Sequence, residues 1–206
     1  MSTPAPAPVE RASAKDQAVT SRPLQVFDNF LRDPHGYYER AIRHEFKTFE
    51  FPEVGVKFHG IAPAADNRIP LRLMEMYPGT VATLSFFRQS PAGQKEPHFI
   101  HTDADMGDWT AILYLTPNAP EGDGTTFWRH LPTGEIENAT PHLRSEEGQK
   151  PDPANWRAWF RVAAVFNRLL VFPSSYFHSR AIFANYGRGA GARLTQVTFG
   201  TGRATR

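Results

Sequence analysis

Hydrophobic and polar positions follow two textures along the chain. Near the start, Val26, Phe27, Phe30 and Leu31 lead into Asp33-Pro34, and Tyr37, Tyr38, Ala41, Ile42 and Phe46 then recur at helical spacing. Asp before Pro marks a helix start, because Pro lacks an N–H that the first turn leaves without a helical partner anyway. The spacing predicts a helix over 34–47. From residue 48 onward, short runs of β-branched and aromatic residues alternate with Gly, Pro, Asn and Asp clusters. The runs Arg72–Met76, Thr80–Arg88, His98–His101, Thr110–Leu115, Thr125–Trp128, Arg168–Phe172, Tyr176–Phe183 and Arg193–Phe199 predict short strands. Strands so short and so regularly punctuated point to a sandwich or barrel. Trp156, Trp159, Phe160, Ala163 and Ala164 have helical spacing and predict a second helix over 155–165. The polar stretch that begins at 131 has no periodicity, and 131–160 reads as an insertion of the kind that often forms a lid. Residues 1–22 are mainly Pro, Ala, Ser and Thr and are expected to be disordered, having too little apolar surface to offset their ordering entropy. The expected organisation is therefore one mainly β domain with flanking helices over 23–202.

Composition narrows the chemistry. A chain of 206 residues can bury a full core without covalent staples. It has no cysteine, which excludes disulfides, zinc ribbons, iron–sulfur clusters and thiol catalysis. The formal charge is only +2, and the pI near 9.0 owes something to Arg203 and Arg206 at the end. That disfavours a nucleic-acid partner, whose phosphates call for a basic surface. No apolar run reaches the roughly 18 residues that a membrane helix needs, and no secretory-signal pattern opens the chain. A cytoplasmic location is the expectation.

Candidate ligands for a metal lie in His98-Phe99-Ile100-His101-Thr102-Asp103. Side chains alternate in an extended segment, so His101 and Asp103 share a side. One imidazole and one carboxylate on that side supply two ligands of a divalent metal. His178, in the strand-like run Tyr176-Phe177-His178-Ser179-Arg180, is the best third. Two His and one carboxylate that leave other positions open are the ligand set of non-haem iron(II) oxygenases. His-x-Asp is common by chance, and His98, His130 and His142 are further histidines. The pattern gains weight from Arg193-Leu194-Thr195, in the last strand. Arg193 falls on the apolar side, where a guanidinium needs an anion. It could clamp the distal carboxylate of a dicarboxylate co-substrate, helped by Thr195, or it could pair with an internal Asp or Glu. Tyr114 could add a hydroxyl to that pocket or be an ordinary core tyrosine.

Together these elements resemble the 2-oxoglutarate/Fe(II) dioxygenase superfamily, in particular its prolyl-hydroxylase-like members. His101-Thr102-Asp103, His178 and Arg193 follow its order of motif, distal His and basic residue. Arg193-Leu194-Thr195 looks like its Arg-x-Ser clamp with Thr for Ser. Ile112–Thr116 with Gly122–Phe127, and Asn167–Pro173 with His178-Ser179, look like its strand segments, and the likeness covers roughly 24–200. Gly122-Asp123-Gly124 in place of a Gly-Gly pair, Thr116 in place of Asn, and the 131–160 insertion depart from it. The resemblance implies a double-stranded β-helix, or jelly-roll, core of cupin type. It implies Fe(II) on His101, Asp103 and His178, and 2-oxoglutarate held by Arg193 and Thr195 with Tyr114 near. It further implies hydroxylation of a substrate C–H bond with release of succinate and CO2. The carboxylate ligand Asp103 favours hydroxylation over halogenation.

Substrate contacts are expected from Asp105, Trp109, Trp128 and Arg180, with Phe177 as a further wall; each has a structural alternative. The expected partners are dioxygen and a small-molecule or peptide substrate, and homodimerisation is left open. Two other readings compete. One is a cupin-like metalloenzyme that does not use 2-oxoglutarate. The other is a non-catalytic jelly-roll binding module in which His101 and His178 never meet.

Overall fold

The computed structural model describes residues 24–51, 56–64, 66–94, 100–138, 154–182 and 184–202. The expectations for 1–22, His98, His142 and residues 139–153 of the 131–160 insertion lie outside these residues. Among the described residues, ten strands and two α-helices run in the order β1 (Gln25–Phe27), α1 (Pro34–Ala41), β2 (Lys47–Phe51), β3 (Val56–Pro63), α2 (Arg68–Met76), β4 (Val81–Ser90), β5 (Trp109–Tyr114), β6 (Gly124–His130), β7 (Trp156–Ala163), β8 (Arg168–Pro173), β9 (His178–Arg180) and β10 (Arg193–Thr201). They form a seven-stranded sheet, β1-β8-β5-β10-β4-β3-β2, and a three-stranded sheet, β7-β6-β9. The two antiparallel sheets make the jelly-roll that the strand pattern and the family resemblance led one to expect. Among the described residues no helix is long and apolar enough to cross a membrane.

Alternation along the strands assigns the large sheet two different faces. On the outer face Phe87, Trp109, Ala111, Leu113, Leu169 and Leu194 pack under Tyr37, Tyr38 and Ala41 of α1 and Ile69 and Leu73 of α2. Each large side chain buried there contributes about 1.5–3 kcal/mol relative to exposure. On the inner face Tyr114, Leu170 and Phe172 meet Phe127, Val162 and Tyr176 between the sheets.

Three local expectations need correction. The first helix ends at Ala41 rather than near 47: Asp33 caps it by accepting from the Gly36 N–H at 2.9 Å, but Lys47 already begins β2, which pairs with β3. A strand ladder through Phe49 and Phe58 outweighs the last helical turn. Arg72–Met76 is not a strand but the end of α2. Its Leu, Met, Glu and Arg are strong helix formers, and Ile69, Pro70 and Leu73 give it a single buried face. Residues 156–163 are strand β7 rather than a helix. Trp, Phe and Val suit a strand, and β7 hydrogen-bonds along β6 with an irregularity at Phe127/Trp128.

Candidate metal centre and its cavity

Two chain segments meet to build the centre. His101 and His178 form an antiparallel bridge, with His101 N donating to His178 O at 3.0 Å and His178 N to His101 O at 2.9 Å. Two residues on, the Asp103 N–H donates to the Ser174 carbonyl at 2.7 Å. These backbone bonds fix both segments before any side chain is considered. Asp103 Oδ1 then lies 3.5 Å from His101 Nε2, and Oδ2 lies 3.3 Å from His178 Nε2. One ligand atom from each residue lies within 4.8 Å of the others. Two metal bonds of about 2.1 Å at right angles would span about 3 Å between ligand atoms, so the set needs little adjustment to hold one ion.

The electrostatics suit a cation. Burial alone would push the Asp103 carboxyl up; His178, then His101 and the Thr110 hydroxyl, outweigh this and hold it at about 2. Burial pushes the His178 imidazole down, but the adjacent Asp103 carboxylate and the Tyr176 carbonyl more than offset it, so the net shift is upward. His178 Nδ1 is 2.9 Å from the Tyr176 carbonyl oxygen. A carbonyl can only accept, so the proton sits on Nδ1 and Nε2 is presented to a metal. Thr110 Oγ1 donates to Asp103 Oδ2 at 3.2 Å and contacts Ser174 Oγ at 2.8 Å. The sequence reading missed Thr110 and Ser174. The available signal was a hydroxyl at an inward position of an otherwise apolar strand.

A cavity of about 540 Å³ opens from the centre. That is within the usual range for small-molecule sites. His101, Asp103 and His178 line one part of it, and Thr125, Arg193 and Thr195 another. Arg193 is buried and also paired: its Nε donates to Asp123 Oδ2 at 2.9 Å and to Oδ1 at 3.1 Å, with the Asp123 side chain only 1% exposed. Asp123 further accepts from Tyr186 Oη and the Gly124 N–H, both at 2.7 Å. Burial and this bond to Asp123 raise the Tyr186 hydroxyl above its ordinary range. Of the two possibilities raised for Arg193, the pair with an internal carboxylate occurs, and the residue also lines the cavity. Tyr114 stands one step behind the wall. Its hydroxyl contacts Thr125 Oγ1 at 2.7 Å, and burial pushes it up to about 12.

The substrate candidates divide. Asp105 and Arg180 line the cavity, and Arg180 Nη2 donates to Asn185 Oδ1 at 2.6 Å. Trp109, Trp128 and Phe177 do not, which corrects their assignment as walls. Trp109 occupies an odd position on β5 and so turns to the helix-covered face, where it packs against Gly200 in a space that any Cβ there would fill. Trp128 and Phe177 belong to a separate cluster with Ile100 and Trp156, and Trp128 Nε1 donates to Ser179 Oγ at 2.9 Å.

A family model described as a family of unknown function, DUF6445, matches residues 10–199. The chain belongs to the DUF6445 family. A search of curated proteins by sequence finds no match. Solved structures with a similar fold include the epimerase SnoN in complex with Fe3+, alpha ketoglutarate and nogalamycin RO, at 12% identity, TM-score 0.55 and coverage of 85% of this chain and 77% of that one. HygX from Streptomyces hygroscopicus with iron bound is similar at 12% identity and TM-score 0.54, covering 85% of this chain and 80% of that one. A Pseudomonas putida prolyl-4-hydroxylase is similar at 17% identity and TM-score 0.51, covering 92% and 96%. This DUF6445 chain thus shares the jelly-roll fold of iron- and 2-oxoglutarate-binding oxygenases, and the likeness at these identities is one of fold.

Proposed function

We propose that the protein is a non-haem Fe(II)- and 2-oxoglutarate-dependent oxygenase that hydroxylates a C–H bond of a small molecule or peptide. The observation that carries this reading is the convergence of His101, Asp103 and His178 on one point of a cavity that Arg193 and Thr195 also line. The donor set of two imidazoles and one carboxylate is of the type that suits Fe(II). Bound iron would supply the redox chemistry that couples dioxygen to oxidation of the co-substrate. The overall reaction balances as substrate C–H, dioxygen and 2-oxoglutarate giving the alcohol, succinate and CO2. One oxygen atom enters the alcohol and the other enters succinate.

The chain's own residues bind and orient. The Tyr176 carbonyl holds His178 in the tautomer that presents Nε2, and Thr110 holds the Asp103 carboxylate. Asp123 occupies Nε of Arg193, and the remaining guanidinium nitrogens would pair with a carboxylate in the cavity. Thr195, beside it on β10, would donate a further hydrogen bond. The test is iron-dependent formation of succinate from 2-oxoglutarate by the wild-type protein. Arg193→Ala is expected to raise the KM for 2-oxoglutarate while leaving Co(II) affinity unchanged. Absence of succinate, together with no thermal stabilisation by Co(II) and 2-oxoglutarate, would sink the proposal.

One observation favours a second reading. The Asp123 carboxylate already balances the Arg193 charge, as expected of a cupin-like metalloenzyme that takes no 2-oxoglutarate. That reading predicts stabilisation by Co(II) alone and no further effect of 2-oxoglutarate.

A further inference from the structure

The inner face of the large sheet changes character from one side to the other. On β5 and β8 it is consumed in the inter-sheet core through Tyr114, Leu170 and Phe172. Towards β4, β3 and β2 it lines the cavity instead, with Phe49, Phe58, Ile61, Leu84 and Phe86, continued by Phe199 of β10. Register makes this wall continuous: Phe49 lies opposite Phe58, Phe86 opposite Val197, and Leu84 opposite Phe199. Phe49 and Leu84 remain 41% and 44% exposed. The Phe86 and Phe199 rings sit 6.1 Å apart at 46°, a tilted aromatic pair on the cavity lining. An apolar surface of this kind, set in a concavity, marks a ligand groove.

Polar groups are few on this wall. Ser85 Oγ is engaged with Thr198 and Gln196, and the Arg88 guanidinium lies 5.3 Å from the centre of the Phe58 ring. Asp105 and Arg180 also line the cavity. Along this wall a polyol or a polycation would lose hydration and meet few hydrogen-bond partners. A molecule with apolar rings would lose nothing and cover the phenylalanines.

We infer that the cavity's wall of Phe49, Phe58, Leu84, Phe86 and Phe199 is the substrate platform and that it takes an apolar, ring-bearing small molecule. The inference rests on the oxygenase reading, because it is the metal centre at one end of the cavity that makes a bound molecule a substrate.

The neutral fluorophore N-phenyl-1-naphthylamine is the probe, titrated into the full chain loaded with Mn(II). Saturable binding of one molecule per chain is expected, with broadening of the probe's ring-proton NMR signals by the neighbouring paramagnetic ion. Leu84→Gln and Phe86→Gln are expected to weaken binding about tenfold or more each, with Mn(II) affinity unchanged. Leu84 is exposed, so its variant folds even where Phe86→Gln does not. Leu71→Gln, at a 53% exposed apolar position on α2, is the control and should leave probe binding as it was. Non-saturable binding, or an equal loss in the Leu71 variant, overturns the platform. Mn(II) binding with a bound but unbroadened probe overturns its role as substrate site. Failure to bind Mn(II) at all is a different result, and defeats the oxygenase reading beneath it.

Discussion

The two charged ends of the cavity solve the same problem in opposite ways. Around Asp103 the partners are imidazoles, whose charge is optional. Around Arg193 the partner is Asp123, and a guanidinium does not give up its proton. The cluster of His101, Asp103 and His178 can therefore shed its positive charge, and on the proposed function a bound cation would complete its balance from outside. The Arg193 charge is balanced within the protein by Asp123, so on the proposed function a carboxylate there would be held by hydrogen bonds rather than by net charge. Charge that can be shed makes a site that waits for a ligand, whereas charge that cannot be shed must be paid for in the fold.

The sharpest test sets one substitution at each end against the other. Asp123→Ala strands a buried guanidinium and is expected to cost about 3–5 kcal/mol of stability in urea unfolding. Asp103→Ala strands two histidines, which can lose their protons, and is expected to leave apo-protein stability far closer to wild type. Its effect on metal is the reverse. Co(II) affinity should fall by more than the about 10–100-fold that loss of an outer-sphere partner costs, while Asp123→Asn retains metal. Equal stability losses in the two alanine variants would end the contrast.

The pH dependence should differ as well. His178 is raised above 6.5, so its contribution to apo stability is complete below that value and is lost as pH rises through the shifted one. Asp103 is lowered to about 2, so its contribution is present above 3.8 and is lost as pH falls towards about 2. The triad thus stabilises the apo protein most between these limits, and thermal melts should show the contribution fading as pH rises through the raised His178 value. Co(II) is expected to restore it there, and to bind more weakly as acid protonates His178. A smaller effect is expected from Thr110→Val, which removes one hydrogen bond to Asp103. Metal affinity should drop about 10–100-fold in a Co(II) titration, with little change in unfolding midpoint.

Legibility in the sequence followed the range of the interaction. β4, β5, β8 and β10 were readable because each is a short run with alternating environments. The segment 156–163 was misread because aromatic residues at three- and four-residue spacing fit a helix equally well until β6 supplies a ladder. Trp109 was misplaced for a simpler reason: its neighbour Thr110 faces Asp103, so parity alone sends the indole to the other side. Asp123 was noticed only as an interruption in a glycine pair. Nothing local shows that its partners would be Arg193 and Tyr186, which are distant along the chain.

What the sequence determined by itself was the set of residue types and their order: His101-x-Asp103, then His178, then Arg193-x-Thr195. Periodicity and side-chain chemistry are properties of neighbours in the chain, and they suffice to name the candidates. The tertiary structure alone decided their pairing. It brought His101 to His178 through a backbone bridge, matched Arg193 with Asp123 in the interior, and left one flank of the inner sheet face as an apolar wall. Those outcomes depend on which strands lie side by side and which faces are covered, and both are set by packing between segments far apart in sequence.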